Sequence, residues 1–243
     1  MNRALAAGAS GMALQQAVLD TIASNLSNVD TPGYRADRPE FAALVTPDGR
    51  ISGELGQPRR LFSQGKLDST NNDFDLAIDG EGFFEVRTAP GALAYTRAGN
   101  FTPDASGRLT LPNGAALANV RLPAGSLSFS VGSSGRVQTR IAGRDERVDA
   151  GRIRLCAFAN SSALRLGDDG LFHVTRAAGT LFRAAPGNGG FGKLRQRCLE
   201  RANVNIVGAM MAVLAAQRAY EANAKSVQAA DEMLRLANNL ERG

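Results

Sequence analysis

The spacing of apolar positions divides the chain into three stretches. Near the N-terminus Leu5, Met12, Leu19 and Leu26 recur every seven residues, with Gly8, Gln15, Ile22 and Val29 three further on. This is the a/d stripe of a helix that lies against another helix, weakened by Gly8 and Gln15. The C-terminal stretch repeats the pattern more strongly. Ile206, Val213, Tyr220, Val227 and Leu234 fall at a, and Ala209, Ala216, Asn223, Ala230 and Ala237 at d. Large residues on one row and mostly alanine on the other let a partner come close, and Asn223 is a polar position of the kind that fixes register. Periodicity leaves two surfaces open to cover this stripe: a partner helix, or the chain's own β-rich part.

Between these ends the period changes to two. Leu76, Ile78, Phe84 and Val86 flank the turn Asp79–Gly82, and Phe129, Val131 and Val137 bracket the turn Gly132–Gly135. Leu109 and Leu111 follow a turn at 103–107, and Ile153, Leu155 and Ala157 continue the alternation. Turn clusters at this spacing predict an antiparallel β domain, and no helical patterns alternate with the strands as a parallel α/β fold requires. The expected fold class is α+β, with long terminal helices in coiled-coil-like pairing flanking a central antiparallel β domain. The expected parts are an N-terminal helix and motif at 1–33, a linker at 34–60, a β-rich domain at 61–185, a Gly-rich linker at 186–193 and a C-terminal helix at 194–243.

Composition removes several kinds of chemistry. In 243 residues there is one histidine, His173, no tryptophan, and two cysteines, Cys156 and Cys198. Zinc sites built on several His or Cys ligands lack ligands, and a Ser-His-Asp system would have to use His173. Alternation puts His173 opposite Phe172, on a strand surface. Asp168-Asp169 before Gly170 reads as a turn, and Cys156 as a buried thiol. Gly187–Gly192 fits G-x-G-x-x-G, but Ala184-Ala185-Pro186 precedes it and a single helix follows, so it reads as a flexible linker and not as a dinucleotide loop. No catalytic, cofactor or metal site is expected, and the chain is not read as an enzyme.

The net charge is +5. Residues 121–183 hold ten Arg and five Asp or Glu, which accounts for all of it. The excess lies on alternating strands, and aromatic residues are not interleaved with the arginines in the way stacking platforms require, which argues against nucleic acid and leaves a solvated basic face or a docking surface for an acidic partner, with Arg136, Arg140 and Arg144 the side chains to test. Gly8, Ser10, Gln15 and Gln16 interrupt the N-terminal stretch, so no cleavable signal is expected, and Ile206–Ala216 is too short to span a bilayer.

Several runs then resemble the flagellar rod and hook proteins. Ser24-Asn25-Leu26-Ser27-Asn28-Val29-Asp30-Thr31-Pro32-Gly33-Tyr34-Arg35 is similar to their N-terminal signature. Leu199–Asn205, with Asn203 and Asn205, is similar to the approach to their last helix. The block Gln217-Arg218-Ala219-Tyr220-Glu221-Ala222-Asn223-Ala224-Lys225 resembles their Q-R-A-Y-E-x-N-x-K run, and Phe62–Gly65, Asp75–Phe84 and Tyr95–Phe101 resemble segments shared by these subunits. Within the family the distal rod type fits best. Tyr34-Arg35-Ala36, Gly167–Gly170 and a short stretch from Phe41 to Leu61 make the proximal rod type its rival, with the hook type further off.

The resemblance implies a subunit exported through the flagellar export apparatus without a cleaved signal. It implies polymerisation into a helical tube across the periplasm that transmits torque from motor to hook. The implied partners are other copies of the chain, neighbouring rod and hook proteins and surrounding ring proteins, with no nucleic acid and no membrane insertion. On this reading Leu5, Met12, Leu19, Ile22, Leu26, Ile206, Val213, Tyr220, Val227 and Leu234 pack in the polymer. Asn25, Asn28, Asn203 and Asn205 cap helix ends, bridge chains or shape turns. Arg218–Glu221 and Glu221–Lys225 are spaced for ion pairs. The terminal helices are expected to be loose in the monomer and to order on assembly.

Overall fold

The computed structural model describes residues 2–45, 51–56, 58–89, 91–142 and 146–240, with side chains throughout except at 2–5, 41–45, 51–55, 234, 237, 238 and 240. They fall into two compact units, one of residues 1–29, 36–61 and 204–243 and the other of 30–35 and 62–203.

In the first unit α1 (Asn2–Ser27) and α2 (Ile206–Leu240) lie against each other. They run antiparallel, with Gly8 beside Val227 and Gly11 beside Asn223. A methyl group on Gly8 would overlap the Val227 side chain, so the missing Cβ sets the approach of the two helices. The last turn of α1 tightens through the Asn28 N–H to Asn25 O and Val29 N–H to Leu26 O bonds, both 3.3 Å. The segment expected as a linker at 34–60 instead carries strands β1 (Asp37–Arg38), β2 (Phe41–Val45), β3 (Ile51–Leu55) and β4 (Arg59–Arg60). β1 pairs with β4 and β2 with β3, all antiparallel.

In the second unit the strands come in short antiparallel runs: β5 (Leu67–Ser69), β6 (Leu76–Asp79), β7 (Phe83–Arg87), β8 (Leu93–Thr96), β9 (Thr102–Pro103), β10 (Leu109–Thr110) and β11 (Ala116–Leu117). There follow β12 (Ser126–Val131), β13 (Arg136–Ile141), β14 (Arg147–Arg152), β15 (Leu155–Phe158), β16 (Arg165–Leu166), β17 (Phe172–His173), β18 (Leu181–Ala184), β19 (Lys193–Gln196) and β20 (Cys198–Glu200). The largest sheet runs β16-β17-β8-β7-β11-β10-β9, with β15 bridging β7 to β18. A second sheet is the meander β12-β13-β14, and β19 and β20 return to pair with β6 and β5.

Alternation along β7 explains the core. Phe84 and Val86 point into one cluster with Leu76, Ile78, Phe101, Val137, Ile153 and Leu155. Phe83 points into another with Tyr95, Cys156, Phe158 and Phe172. β7 is therefore buried on both faces, and the predicted inward set at 76, 78, 84 and 86 falls in a single cluster.

Two expected boundaries change. The last helix starts at Ile206 and not at 194, because Lys193–Gln196 and Cys198–Glu200 are strands. The Gly-rich run 186–193 is not a flexible linker but a hydrogen-bonded turn between β18 and β19, closed by the Gly187 N–H to Gly192 O bond at 2.9 Å. The Gly192 N–H also donates to Glu81 O at 2.8 Å.

Candidate functional site

The N-terminal signature and the motif before the last helix meet within the second unit. Gly33 sits at φ +70, and its N–H donates to the Glu200 carbonyl at 2.7 Å. A Cβ there would run into the Arg97–Ala98 backbone, so only glycine fits both the conformation and the space. The turn at Gly33 delivers Tyr34 and Arg35. The Tyr34 carbonyl accepts from the Asn203 N–H at 3.4 Å, and the Asn203 amide donates to Ser63 O at 2.9 Å.

Arg35 is wholly buried. Its Nη1 lies 2.8 Å from Glu200 Oε1 and donates to Ser63 O at 2.9 Å. The other Glu200 oxygen accepts from Arg97 Nη1 at 3.2 Å, and the Gly65 N–H donates to Oε1 at 2.9 Å. Arg97 also donates from Nη2 to Gly80 O at 2.8 Å, and its guanidinium lies 5.5 Å from the Phe83 ring centre. Burial pulls the Arg97 pKa down to about 10, with Glu200 opposing, so the group stays cationic at neutral pH. Two cations thus share one buried anion. Among the described residues Arg35 Nε and Nη2 and Arg97 Nε are buried with no hydrogen-bond partner. A cluster of this kind contributes little as a pair but fixes geometry, since removing a partner leaves a charge stranded. Sequence reading missed Arg35, Arg97 and Glu200 as site residues. They stand inside the quoted motifs, but nothing in the spacing tells that segments so far apart share one carboxylate.

The first unit holds most of the other predicted residues. Asn25 clamps the Asp37 backbone both ways, its amide donating to Asp37 O at 2.7 Å and its Oδ1 accepting the Asp37 N–H at 2.8 Å. The Asn28 amide donates to Ser24 O at 2.9 Å, satisfying a carbonyl in the last turn of α1. Asn205 is the N-cap of α2, since its Oδ1 accepts the Gly208 N–H at 3.0 Å and its carbonyl the Ala209 N–H at 2.8 Å. Asn28 and Asn205 therefore satisfy helix ends, Asn25 ties the end of α1 to β1, and Asn203 crosslinks two motifs.

The helix seam follows the a/d positions in part. Ile22 and Ala216 are buried, and Met12, Leu19, Leu26, Val213, Asn223 and Val227 half-buried. Ile206 and Tyr220 are exposed, as are Gln217, Arg218 and Glu221. The side chains of Leu5 and Leu234 lie outside the described residues, as does Arg144 of the basic segment. Among the described ion pairs neither Arg218–Glu221 nor Glu221–Lys225 occurs. A second apolar stripe on α2, which the heptad reading did not include, is open to solvent: Val207, Met210, Met211 and Leu214, each 56–68% exposed. α1 and α2 touch within one chain, so part of the stripe expected to pack in the polymer is covered by the chain's own helix.

The remaining reactive groups are held in structural roles. The Cys156 thiol is buried and lies 3.2 Å from Glu85 Oε2, which also accepts from Arg183 Nε at 2.6 Å. Burial first, and Glu85 second, push this thiol up to about 12, so it is not a nucleophile at neutral pH. His173 faces Asp169, with Nε2 3.2 Å from the carboxylate, and Asp169 Oδ1 accepts the Leu171 N–H at the turn. Both cysteines are free thiols. No group of metal-ligating residues occurs among the described residues, and no described helix is long and apolar enough to cross a membrane.

Three family profiles match parts of this chain. That of the flagellar basal body rod proteins matches residues 5–35, that of the flagellar hook protein FlgE/F/G D1 domain residues 77–139, and that of the basal body rod FlgEFG C-terminal region residues 195–240. The chain is 38% identical to the flagellar basal-body rod protein FlgG of Borreliella burgdorferi over 100% of both chains. It is 34% identical to FlgG of Caulobacter vibrioides over 98% of this chain and 99% of that one. To the rod protein FlgF of Escherichia coli it is 29% identical, over 97% and 96% of the two chains.

Proposed function

The chain belongs to the flagellar basal-body rod protein family, and from that premise we propose that it is a distal-rod structural subunit that polymerises into a helical tube and carries torque from motor to hook. The higher likeness to FlgG than to FlgF supports the distal type over the proximal. The observation that carries the polymer is the open stripe Val207, Met210, Met211 and Leu214 on α2. Four large apolar side chains at i, i+3, i+4 and i+7 define a helix face meant for burial, and α1 does not bury it.

The intramolecular seam alone is thin. Among the described side chains of α1 only Gly8 and Ile22 are buried, and of α2 only Ala216. Isolated helices are marginal in water, and their stability comes from packing an apolar face. Coiled-coil-like pairing of α1 and α2, extended by neighbouring copies onto the second stripe, supplies the missing packing. Loose ends before assembly also suit export of the chain without a cleaved signal. An open tube needs heterologous contacts between unlike faces, so the free stripe would meet a different face of the neighbouring copy.

Concentrated full-length protein should form filaments in negative-stain images. Met210→Glu with Met211→Glu should abolish them without changing the far-UV circular dichroism of the β unit. A deletion strain should lose swarming and regain it with the wild-type chain only. Filament formation unaffected by the two substitutions would remove the assigned role of the stripe. A swarming deletion strain would remove the rod reading itself.

A further inference from the structure

The solvent face of the β12-β13-β14 meander is a grid of arginines. Arg136 stands opposite Arg152 and Arg140 opposite Arg147 in the antiparallel register. Residues directly opposite share a face, and so do positions two and four apart on one strand, so all four arginines lie on the same side. All four are exposed, while Phe129, Val131, Val137 and Ala150 of the same strands are buried in the core. Gln138 and Asp149 stand opposite each other between the two arginine pairs. Arg136 Nε donates directly to Asp149 Oδ2 at 3.1 Å in an exposed ion pair, whereas Arg140, Arg147 and Arg152 form no ion pair among the described residues. Among the described residues four positive charges less one negative leave +3 on these strands' outer face, with Glu146 just ahead of β14.

Like charges directly opposite across strands destabilise a sheet, and this one has two such pairs. A face selected for stability alone would alternate signs. Ser128 opposite Arg140 and Ser130 opposite Gln138 complete a polar surface. Leu127, beside the register shift of β12, is the only large exposed apolar side chain on these strands among the described residues, too little to anchor in lipid. No aromatic residue stands among the arginines for base stacking, and a broad sheet face enters no groove of duplex DNA. Asp149 also lines an open cleft of about 770 Å³ shared with Arg87, Arg121 and Arg108, the last ion-paired with Asp104 at 3.0 Å, so Arg87 and Arg121 carry the basic surface past β14.

We propose that this face docks a carboxylate-rich protein surface. Guanidinium groups bind carboxylates through two parallel N–H bonds, and strands hold them at fixed spacing, with Arg136 and Arg140 roughly 13 Å apart along β13. The free carboxylates would turn two repulsive cross-strand pairs into bridged ones. The proposal rests on the second unit and stands apart from the polymer reading.

The test is fluorescence anisotropy of the full chain with a labelled oligo-glutamate peptide, beside a duplex DNA oligonucleotide and phosphatidylglycerol vesicles. R136Q/R140Q/R147Q/R152Q should bind the peptide at least tenfold more weakly than the wild type and melt at the same or a higher temperature. R38Q/R154Q/R165Q/R176Q, with the same loss of charge elsewhere, should bind within about twofold of the wild type. If the grid variant misfolds, R136Q/R147Q, which leaves one arginine in each pair, serves instead with an intermediate loss. Equal weakening by both quadruple variants, no peptide binding by the wild type, or tighter grid-dependent binding of the DNA or the vesicles would overturn the proposal.

Discussion

Glu200 Oε1 lies 2.8 Å from Arg35 Nη1, and neither side chain is exposed to solvent. Glu200→Ala strips the acceptor from both Arg35 and Arg97, so it should cost about 3–5 kcal/mol. Urea unfolding of the full chain followed on the β unit measures this. A loss under about 1 kcal/mol would mean that the two guanidiniums find other partners.

Gly33→Ala meets both the left-handed backbone and the Arg97–Ala98 backbone. Its cost should exceed the ~1 kcal/mol that marks conformational effects alone. Thermal melting provides the comparison, and a neutral alanine would show that the turn at Gly33 can relax.

At Gly8 the expected sign opposes helix propensity. Glycine to alanine inside a helix normally stabilises by about 1 kcal/mol. Here the added methyl meets Val227, so Gly8→Ala should lower helix content by circular dichroism, and adding Val227→Ala should restore it. Gain of helix by the single variant would contradict the close approach of α1 and α2.

Asn205→Ala removes the N-cap of α2 and should cost about 1 kcal/mol in helix stability. Asn205→Asp should retain most of it. Equal stability of all three chains would show that the cap is not used.

Alkaline pH should weaken the β unit through Cys156. Its thiol ionises near 9.0 when unfolded and near 12 when folded. The unfolded chain therefore releases its proton first, and this contribution to stability is present in full below about pH 9 and lost as pH rises toward about 12. Tyr95 is raised by burial as well and acts in the same direction. Cys156→Ala should flatten the alkaline fall, and iodoacetamide should label Cys198 before Cys156 in the native chain.

Local pattern carried the reading as far as local contacts decide structure. The inward set Leu76, Ile78, Phe84 and Val86 and the hairpin at Gly132–Gly135 depend on alternation and turn chemistry, and both stand in the fold. The seam positions Val213, Ala216, Asn223 and Val227 follow from the heptad. The stretch 194–200 reads from the sequence as the start of the last helix. Its real partners are β6 and β5, more than a hundred residues earlier, and only those distant edges make it extended. The strands at 37–60 lack the alternating signal of β6 and β7, since β1 and β4 are two residues each and Phe41–Val45 is apolar throughout. Glu200 escaped because a lone acidic residue has no period; its meaning lies in Arg35, Ser63, Gly65 and Arg97 around it.

Gly33 and Arg35 also bear on where this polypeptide can be trimmed. Any fragment beginning at Phe62 forfeits the guanidinium that pins Glu200 and opens a void beside Ser63. A cut just ahead of Asp30, with the tail ended at Asn203, keeps that plug attached only if residues 36–61 remain as a tether. The shortest piece worth expressing for crystallisation is therefore longer at its front than the sheet boundaries suggest.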